Sequence, residues 1–362
     1  MPDSAAASGP APGPVPAPRR RRAGPSIGDV AKLAGLSAQT VSRVSTGALN
    51  VRPETRKRVL DAMEQLRYTP NSAARALRYG SFRTIGLVAH RLSRTGHART
   101  TGAVVEAARQ AGFTVTLVDV ETPSSADVTA AVQRLTHQSI DGLVIIRAEG
   151  ADPAALGIPP GLPVVVSDSR FVGHHPAVSA DQAAGTTSAV EHLLELGHRT
   201  VHHLAGPPDS GPAQVRADAW AATLRRAGRP VPPVIQGDWS ARSGHEQGLA
   251  IADDCDVTAV LCANDAMAAG LLRALNERGR RVPEDVSVVG FDDIPLADYL
   301  WPPLTTVRQD YAAIGVRLVE LLLRQIESGQ TLADEQVLVP TSLVVRASTA
   351  PPPARLLRPL GD

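Results

Sequence analysis

The chain has 362 residues, with 37 Lys+Arg against 36 Asp+Glu and a hydrophobic fraction of 43%. That length implies two or three domains. No apolar run approaches the ~20 residues of a membrane-spanning helix, and no apolar stretch follows the Arg19–Arg22 run to make a secretory signal. The only cysteines, Cys255 and Cys262, are too few for a disulfide framework or a zinc site. A cytoplasmic protein with no membrane partner is expected.

The near-neutral total hides an asymmetry. Residues 1–80 hold 13 Lys+Arg and 5 Asp+Glu, a charge of +8, and the remainder carries −7. Both lysines, Lys32 and Lys57, lie in the basic part. A basic N-terminal quarter on an acidic remainder suggests a nucleic-acid module joined to something else.

Residues 1–25 are rich in Pro, Ala, Gly and Arg and are expected to be a disordered tail. From Ser26 the apolar spacing turns helical. Ser26 and Asp29 form an S-x-x-D start, Ile27, Val30, Ala31 and Ala34 share a face, and Gly35 ends the helix. Ser37 caps a second helix in which Val41 and Val44 face inward. Pro53 opens a third, carrying Val59, Leu60, Met63 and Leu66. Residues 26–70 thus read as an all-α helix-turn-helix domain, and a fourth short helix is expected from Asn71 to Tyr79.

From Thr84 short apolar strands alternate with helices. Strands are expected at 85–88, 114–118, 143–146, 164–166, 201–205, 259–262 and 286–290. Helices are expected at 98–111, 126–137, 181–196, 215–227 and 265–278, with another from Ile314 to Ile326. This is α/β with parallel sheets. The number of units exceeds one ordinary sheet, so two similar lobes are expected over 83–346, with a ligand cleft at the strand C-termini. Residues 71–82 would link the domains, and 347–362 would be a Pro-rich tail.

The second helix of a helix-turn-helix enters the major groove. Here it begins Ser37-Ala38-Gln39-Thr40-Val41-Ser42-Arg43. Ala38, Gln39 and Arg43 are spaced to meet base edges: Gln pairs with adenine, Arg with guanine, and an Ala methyl meets thymine. Ser37, Thr40 and Ser42 suit phosphate contacts. In the α/β part, Asp168, Trp239, Asn264-Asp265 and Asp292-Asp293 fall just past strand ends or in a loop. Carboxylates, amides and an aromatic plate are what a sugar site needs. Read singly, Asp265 is also a helix N-cap, Asp293 a turn residue and Trp239 a core residue.

The motifs Ile27-Gly28-Asp29-Val30-Ala31-Lys32-Leu33-Ala34-Gly35-Leu36-Ser37, Thr40-Val41-Ser42-Arg43-Val44, Pro53-Glu54-Thr55-Arg56 and Tyr68-Thr69-Pro70-Asn71 resemble the LacI/GalR (lactose-repressor) family. The likeness runs from about Ser26 to Arg346. It implies a helix-turn-helix joined to a two-lobed, periplasmic-binding-protein-like domain, acting as a homodimeric repressor of a DNA operator under a small effector. It implies further that residues 71–78 form a hinge helix, with Asn71 and Ala74 at the DNA and Leu77 wedged between minor-groove base steps. It gives Trp239 the stacking role, Arg216 a clamp, and Asn264, Asp292 and Asp168 the grip on sugar hydroxyls.

The second lobe most resembles the lactose-responsive branch, through Asp238-Trp239-Ser240-Ala241, Ala263-Asn264-Asp265 and Pro302-Pro303-Leu304-Thr305-Thr306, which implies a galactoside or related glycoside. Three departures stand out. Ser45-Thr46 follows the second helix in place of an apolar residue and Asn. Ile146 replaces an amide. Ser93-Arg94-Thr95-Gly96-His97 replaces a run containing an aromatic.

No positioned nucleophile or acid pair marks an enzyme, and His174-His175 and His202-His203 point to opposite faces rather than to one metal; no cofactor is expected. Two other readings stay open: a repressor that needs a purine-like corepressor, and a sugar-binding transport protein. The tail after Ala350 lacks the heptads of a coiled coil, so a dimer is expected over a tetramer.

Overall fold

The computed structural model describes residues 25–45, 50–68, 81–121, 124–146, 157–167 and 174–353. Most of the N-terminal tail, the hinge segment with Asn71, Ala74 and Leu77, and Asp168 lie outside them. The chain divides into two compact units, Met1–Gly80 and Ser81–Asp362.

In the first unit, helices α1 (Ile27–Ala34), α2 (Ala38–Ser45) and α3 (Pro53–Gln65) enclose one small core of Val30, Val41, Val44, Val59 and Met63. The start of α1 is a full capping box. The Ser26 side chain accepts from the Asp29 N–H, and Asp29 accepts from the Ser26 N–H at 2.8 Å. Its end is fixed by Gly35 at φ 61°, where a side chain would crowd Arg58. Arg58 itself donates to the Ala34 carbonyl at 2.6 Å, tying α3 to the end of α1.

The second unit holds two six-stranded sheets. The first is built from β1 (Thr84–His90), β2 (Thr114–Val120), β3 (Gly142–Ile146), β4 (Val164–Ser167), β5 (Ala177–Ala180) and β11 (Gln336–Val339). Its order is β11-β5-β4-β3-β1-β2, parallel throughout. Helices α4 (Thr95–Gln110) and α10 (Tyr311–Ser328) cover one face of it, and α5 (Ser125–Thr136) the other.

The second sheet joins β6 (His202–Ala205), β7 (Ile235–Gln236), β8 (Ala259–Cys262), β9 (Ser287–Asp292), β10 (Thr305–Gln309) and β12 (Thr341–Val344). Its order is β12-β10-β9-β8-β6-β7, with only the β10–β12 pair antiparallel. Helices α6 (Gln182–Glu195) and α7 (Gly211–Arg226) pack on one face, α8 (Ala241–Asp253) and α9 (Asp265–Glu277) on the other. The central strands β3, β4 and β8 are buried along their whole length, as strands covered on both faces must be.

Among the described residues the chain passes between the lobes three times, and each passage is one residue long. Asp181 links β5 to α6, Asp310 links β10 to α10, and Pro340 links β11 to β12. Both aspartates cap the helix that follows: Asp181 accepts from the Ala184 N–H at 2.9 Å and Asp310 from the Ala313 N–H at 2.8 Å.

The expected tail from 347 does not begin there. Ser348 is fully buried, accepts from the Thr305 N–H at 2.8 Å and donates to the Val288 carbonyl at 2.6 Å. His198, buried, reaches Thr258, Ser287 and the Ala350 carbonyl at 2.9–3.1 Å. The segment is held because its backbone and Ser348 complete hydrogen bonds that β9 and β10 leave open. Among the described residues no helix is long and apolar enough to cross a membrane.

Candidate functional site

In the first unit α2 turns Val41, Ser42 and Val44 inward and exposes Ala38, Gln39 and Arg43 on one face. Ser37 precedes the helix as its cap, accepting from the Thr40 N–H at 3.2 Å and lying 2.9 Å from the Thr40 hydroxyl. Ser42 is 8% exposed, so it sits on the core side of α2 and not beside the outward-facing trio. Ser45 donates to the Ser42 carbonyl at 2.9 Å, which gives its hydroxyl a local partner where an apolar residue was expected.

In the second unit a cavity of about 350 Å³ opens between the lobes. Its second-lobe wall carries Arg216, Asp238, Trp239, Ser240, Asn264 and Asp292. Four of the five expected ligand residues therefore converge on one space. The first-lobe wall is the run Ser93–His97, at the start of α4. Ile146, by contrast, is buried in the first core.

Trp239 is half-buried against the second-lobe core and has φ 76°. Its ring lies over Gly206, where any side chain would run into the indole. The Trp239 carbonyl accepts from Asn264 Nδ2 at 2.9 Å. Asn264, not Asp265, caps α9, its Oδ1 accepting from the Met267 N–H at 2.8 Å. The expected N-cap Asp265 is instead fully buried under the site. It accepts from the Thr306 hydroxyl at 2.5 Å and the Ile294 N–H at 2.9 Å. Burial, and then the Asp292 charge, push its carboxyl up to about 8. Gly290 has no side chain because Asp265 occupies that space.

Arg216 is 2% exposed, a buried cation that needs partners. Its guanidinium stacks 3.7 Å from the Phe291 ring centroid and lies 5.5 Å from that of Trp239. It donates to Gln182 Oε1 at 2.8 Å and to the Ala263 carbonyl, and it stands 3.8 Å from Asp292. Asp292 in turn accepts from Gln309 Nε2 at 2.6 Å and the Tyr311 hydroxyl at 3.1 Å.

The strand end is strained. Asp292 has φ 111° and Asp293 φ 49°, both on the side that favours glycine. Asp293 turns away from the cavity to Arg308 at 2.6 Å and Arg346 at 2.7 Å. Burial raises its carboxyl, but these two bonds outweigh that and hold it below its ordinary value.

On the same wall, Asp238 is held below the usual carboxylate range, chiefly by hydrogen bonding from Ser240, whose N–H donates at 2.8 Å. His97 is buried beside His90 and donates to its carbonyl. Across the cavity, Arg99, two residues farther along α4, lies 4.7 Å from the Tyr311 ring and reaches the Asp292 and Asp293 carbonyls at 3.3 and 3.2 Å. Sequence reasoning did not single out Arg94, His97, Arg99, Asp238 or Ser240 as site residues. The signal for the first two was the Ser93–His97 departure itself, because it follows the first strand of a lobe. His202 and His203 sit on opposite faces of β6. His203 is fully buried beside Trp220, and burial takes its ring down to about 4. Among the described residues no group of three or more His, Cys, Asp or Glu is arranged to hold a metal ion.

A family model for the bacterial regulatory proteins, lacI family, matches residues 26–71, and one for a periplasmic binding protein-like domain matches 190–349. The chain is 37% identical over 340 residues to the lactose operon repressor of Escherichia coli (strain K12), covering 91% of this chain and 92% of that protein. The chain belongs to the lacI family. The transcriptional repressor PurR of Pasteurella multocida (strain Pm70) is 32% identical over 307 residues, or 83% and 92% of the two chains. A lac repressor dimer bound to operator and the anti-inducer ONPF superposes with a TM-score of 0.77 at 34% identity, over 90% of this chain and 99% of that one. Like these lacI-family relatives, the protein is a DNA-binding transcriptional repressor. That sets aside the transport-protein reading.

Proposed function

We propose that this lacI-family repressor binds a near-palindromic operator as a homodimer and is released from it by a small sugar, a galactoside or related glycoside. The observation that carries the sugar is the second-lobe wall. An indole plate, a fixed guanidinium, an amide and a carboxylate face one cavity of about 350 Å³, room enough for one or two sugar rings. Stacking suits the apolar face of a pyranose, and the polar groups suit its hydroxyls.

On the DNA side, Ala38, Gln39 and Arg43 read bases from the exposed face of α2, with Ser37 and Thr40 at the phosphates. Ser42, being buried, acts through the position of α2 and not by direct contact. Asn71, Ala74, Leu77 and Asp168 keep the roles the family resemblance gives them.

The test is a titration of the purified protein onto DNA flanking its own gene at ~0.15 M salt, since affinity falls steeply with salt. It is repeated with galactosides, other glycosides and purine bases. Release by a sugar supports the reading. Tightening by a purine base replaces it with a corepressor, and specific binding that no sugar moves rules out the sugar class.

A further inference from the structure

Arg216 and Asp292 are joined by more than their own approach. Arg216 Nε donates to Gln182 Oε1 at 2.8 Å, Gln182 Nε2 donates to Gln309 Oε1 at 2.9 Å, and Gln309 Nε2 donates to Asp292 Oδ1 at 2.6 Å. The 3.8 Å gap from Arg216 to Asp292 closes the ring. Every member is at least nine-tenths buried. The direction of the chain is forced. A guanidinium only donates, so Gln182 must turn its oxygen to Arg216 and its amide hydrogens to Gln309. Gln309 must then turn its own hydrogens to the carboxylate.

The two glutamines also flank two of the inter-lobe passages. Gln182 directly follows Asp181, whose carbonyl accepts from Thr341 at 2.9 Å and whose N–H donates to Val339 at 2.8 Å, next to the third passage. Gln309 directly precedes Asp310, and its Nε2 also lies 2.8 Å from the hydroxyl of Tyr311, the first residue of α10. Both ends of the relay thus line the cavity and its middle sits where the chain changes lobe.

We propose that Gln182 and Gln309 are positioning residues that couple effector occupancy to the angle between the lobes. This rests on the effector reading given above. A ligand that draws on Arg216 and Asp292 competes for the charged groups at both ends of a polarised amide pair. The pair cannot reorient one member without turning two acceptors toward each other. The strain therefore passes to the two passages instead of dissipating in the pocket.

The experiment uses the full-length protein, a DNA fragment flanking its own gene, and methyl β-D-galactoside, cellobiose and hypoxanthine as probes. Probe binding is followed by tryptophan fluorescence, on and off DNA. The ratio of DNA affinities without and with probe is the coupling, and linkage requires the same ratio in probe affinity. Gln182→Leu and Gln309→Leu are expected to bring that ratio from the range of about 5–150-fold common for allosteric proteins to below about twofold, with operator and probe both still bound. Gln182→Glu, nearly identical in shape, is expected to do the same by setting a carboxylate against Gln309 Oε1, and it stands in if the leucine variant does not fold.

A variant that keeps the wild-type ratio while losing probe affinity overturns the proposal and leaves Gln182 as a support for Arg216. If no probe shifts wild-type DNA binding, the effector reading fails separately. The relay is then judged by amide hydrogen exchange in the ligand-free protein. Gln182→Leu should speed exchange at Ala184 and at Ala313 together, and unchanged exchange at Ala313 sinks the coupling.

Discussion

Trp239, Asp292 and Asp293 all hold positive φ, and Trp239 and Asp292 line the cavity. Such backbone is unfavourable for a residue with a side chain, and it persists because the surroundings over-determine it. For Trp239 those surroundings are Gly206 beneath the ring and Asn264 on the carbonyl. Trp239→Ala is therefore expected to abolish effector release while operator affinity stays within about twofold; loss of cooperative unfolding in the same variant would make the ring a core element first. On the DNA side, Gln39→Ala should cost about 1–3 kcal/mol at its matched base and relax preference there, seen as a flattened binding profile across single-base operator variants. Asp265 has a third, pH-dependent consequence. Its folded carboxyl sits near 8, above its ordinary 3.8, so the folded state holds a proton that the unfolded state has lost between those values. The stabilisation is complete below the unfolded value and is lost as pH rises through about 8. Thermal melts should fall from pH 5 to pH 8.5 in the wild type, and Asp265→Asn should flatten that slope. An equal slope in both would remove Asp265 as the cause.

At the scale of elements, α4 of the first lobe reaches the second. Its Arg99 guanidinium lies over Tyr311 and reaches two carbonyls of the strained strand end. A cation over an aromatic ring contributes about 0.5–2 kcal/mol. Arg99→Ala should shift the half-release concentration of effector by between about twofold and thirtyfold, the same energy as a ratio; fluorescence titration in the presence of operator reads it directly, and an unmoved midpoint would mean that the link carries no bias. Most of the long amphipathic helices and the apolar strands β3, β4 and β8 were legible in the sequence, because burial of one stripe leaves a helical period and burial of both faces leaves a short apolar run. β5, β7, β10, β11 and β12 were not. β5 is Ala-Val-Ser-Ala, β7 has two residues, and β10 to β12 mix Thr, Gln and Arg with apolar residues, so nothing in their own pattern separates them from loops. The site divides the same way. Trp239 and Asn264 announce themselves by type and place, but nothing local marks Gln182 or Gln309. They meet across the whole second lobe, through contacts that only the fold creates.

For the whole molecule, the structures of relatives include a dimer, and the protein's own surface supplies a reason to pair. Leu296, Tyr299 and Trp301 are 53%, 83% and 93% exposed within one short stretch of the second lobe. Exposed aromatics that close together are costly to leave in water and are frequent at the centres of interfaces. Trp301→Asp is expected to shift sedimentation toward the monomer and, with it, to weaken operator binding by far more than probe binding. A variant that still sediments as a dimer would place the contact elsewhere.

The single-residue passages have a consequence for how the chain is made. The first lobe opens with β1 at Thr84, but its core is closed by Ile314, Leu318 and Leu322 of α10, and its sheet edge by β11. Both arrive only after the whole second lobe has been synthesised up to Gln309. On the ribosome the second lobe, lacking only β12 and the 347–350 segment, can collapse early, while β1 to β5 wait with one hydrophobic face covered by α4 alone. Closing so long a loop is entropically expensive, and half-covered sheets are prone to associate. The lobe that begins first in the gene is therefore the one that waits longest for its core to close, and the stretch from Thr84 to Ala180 is where a slow or interrupted translation would leave the protein most exposed to misassembly.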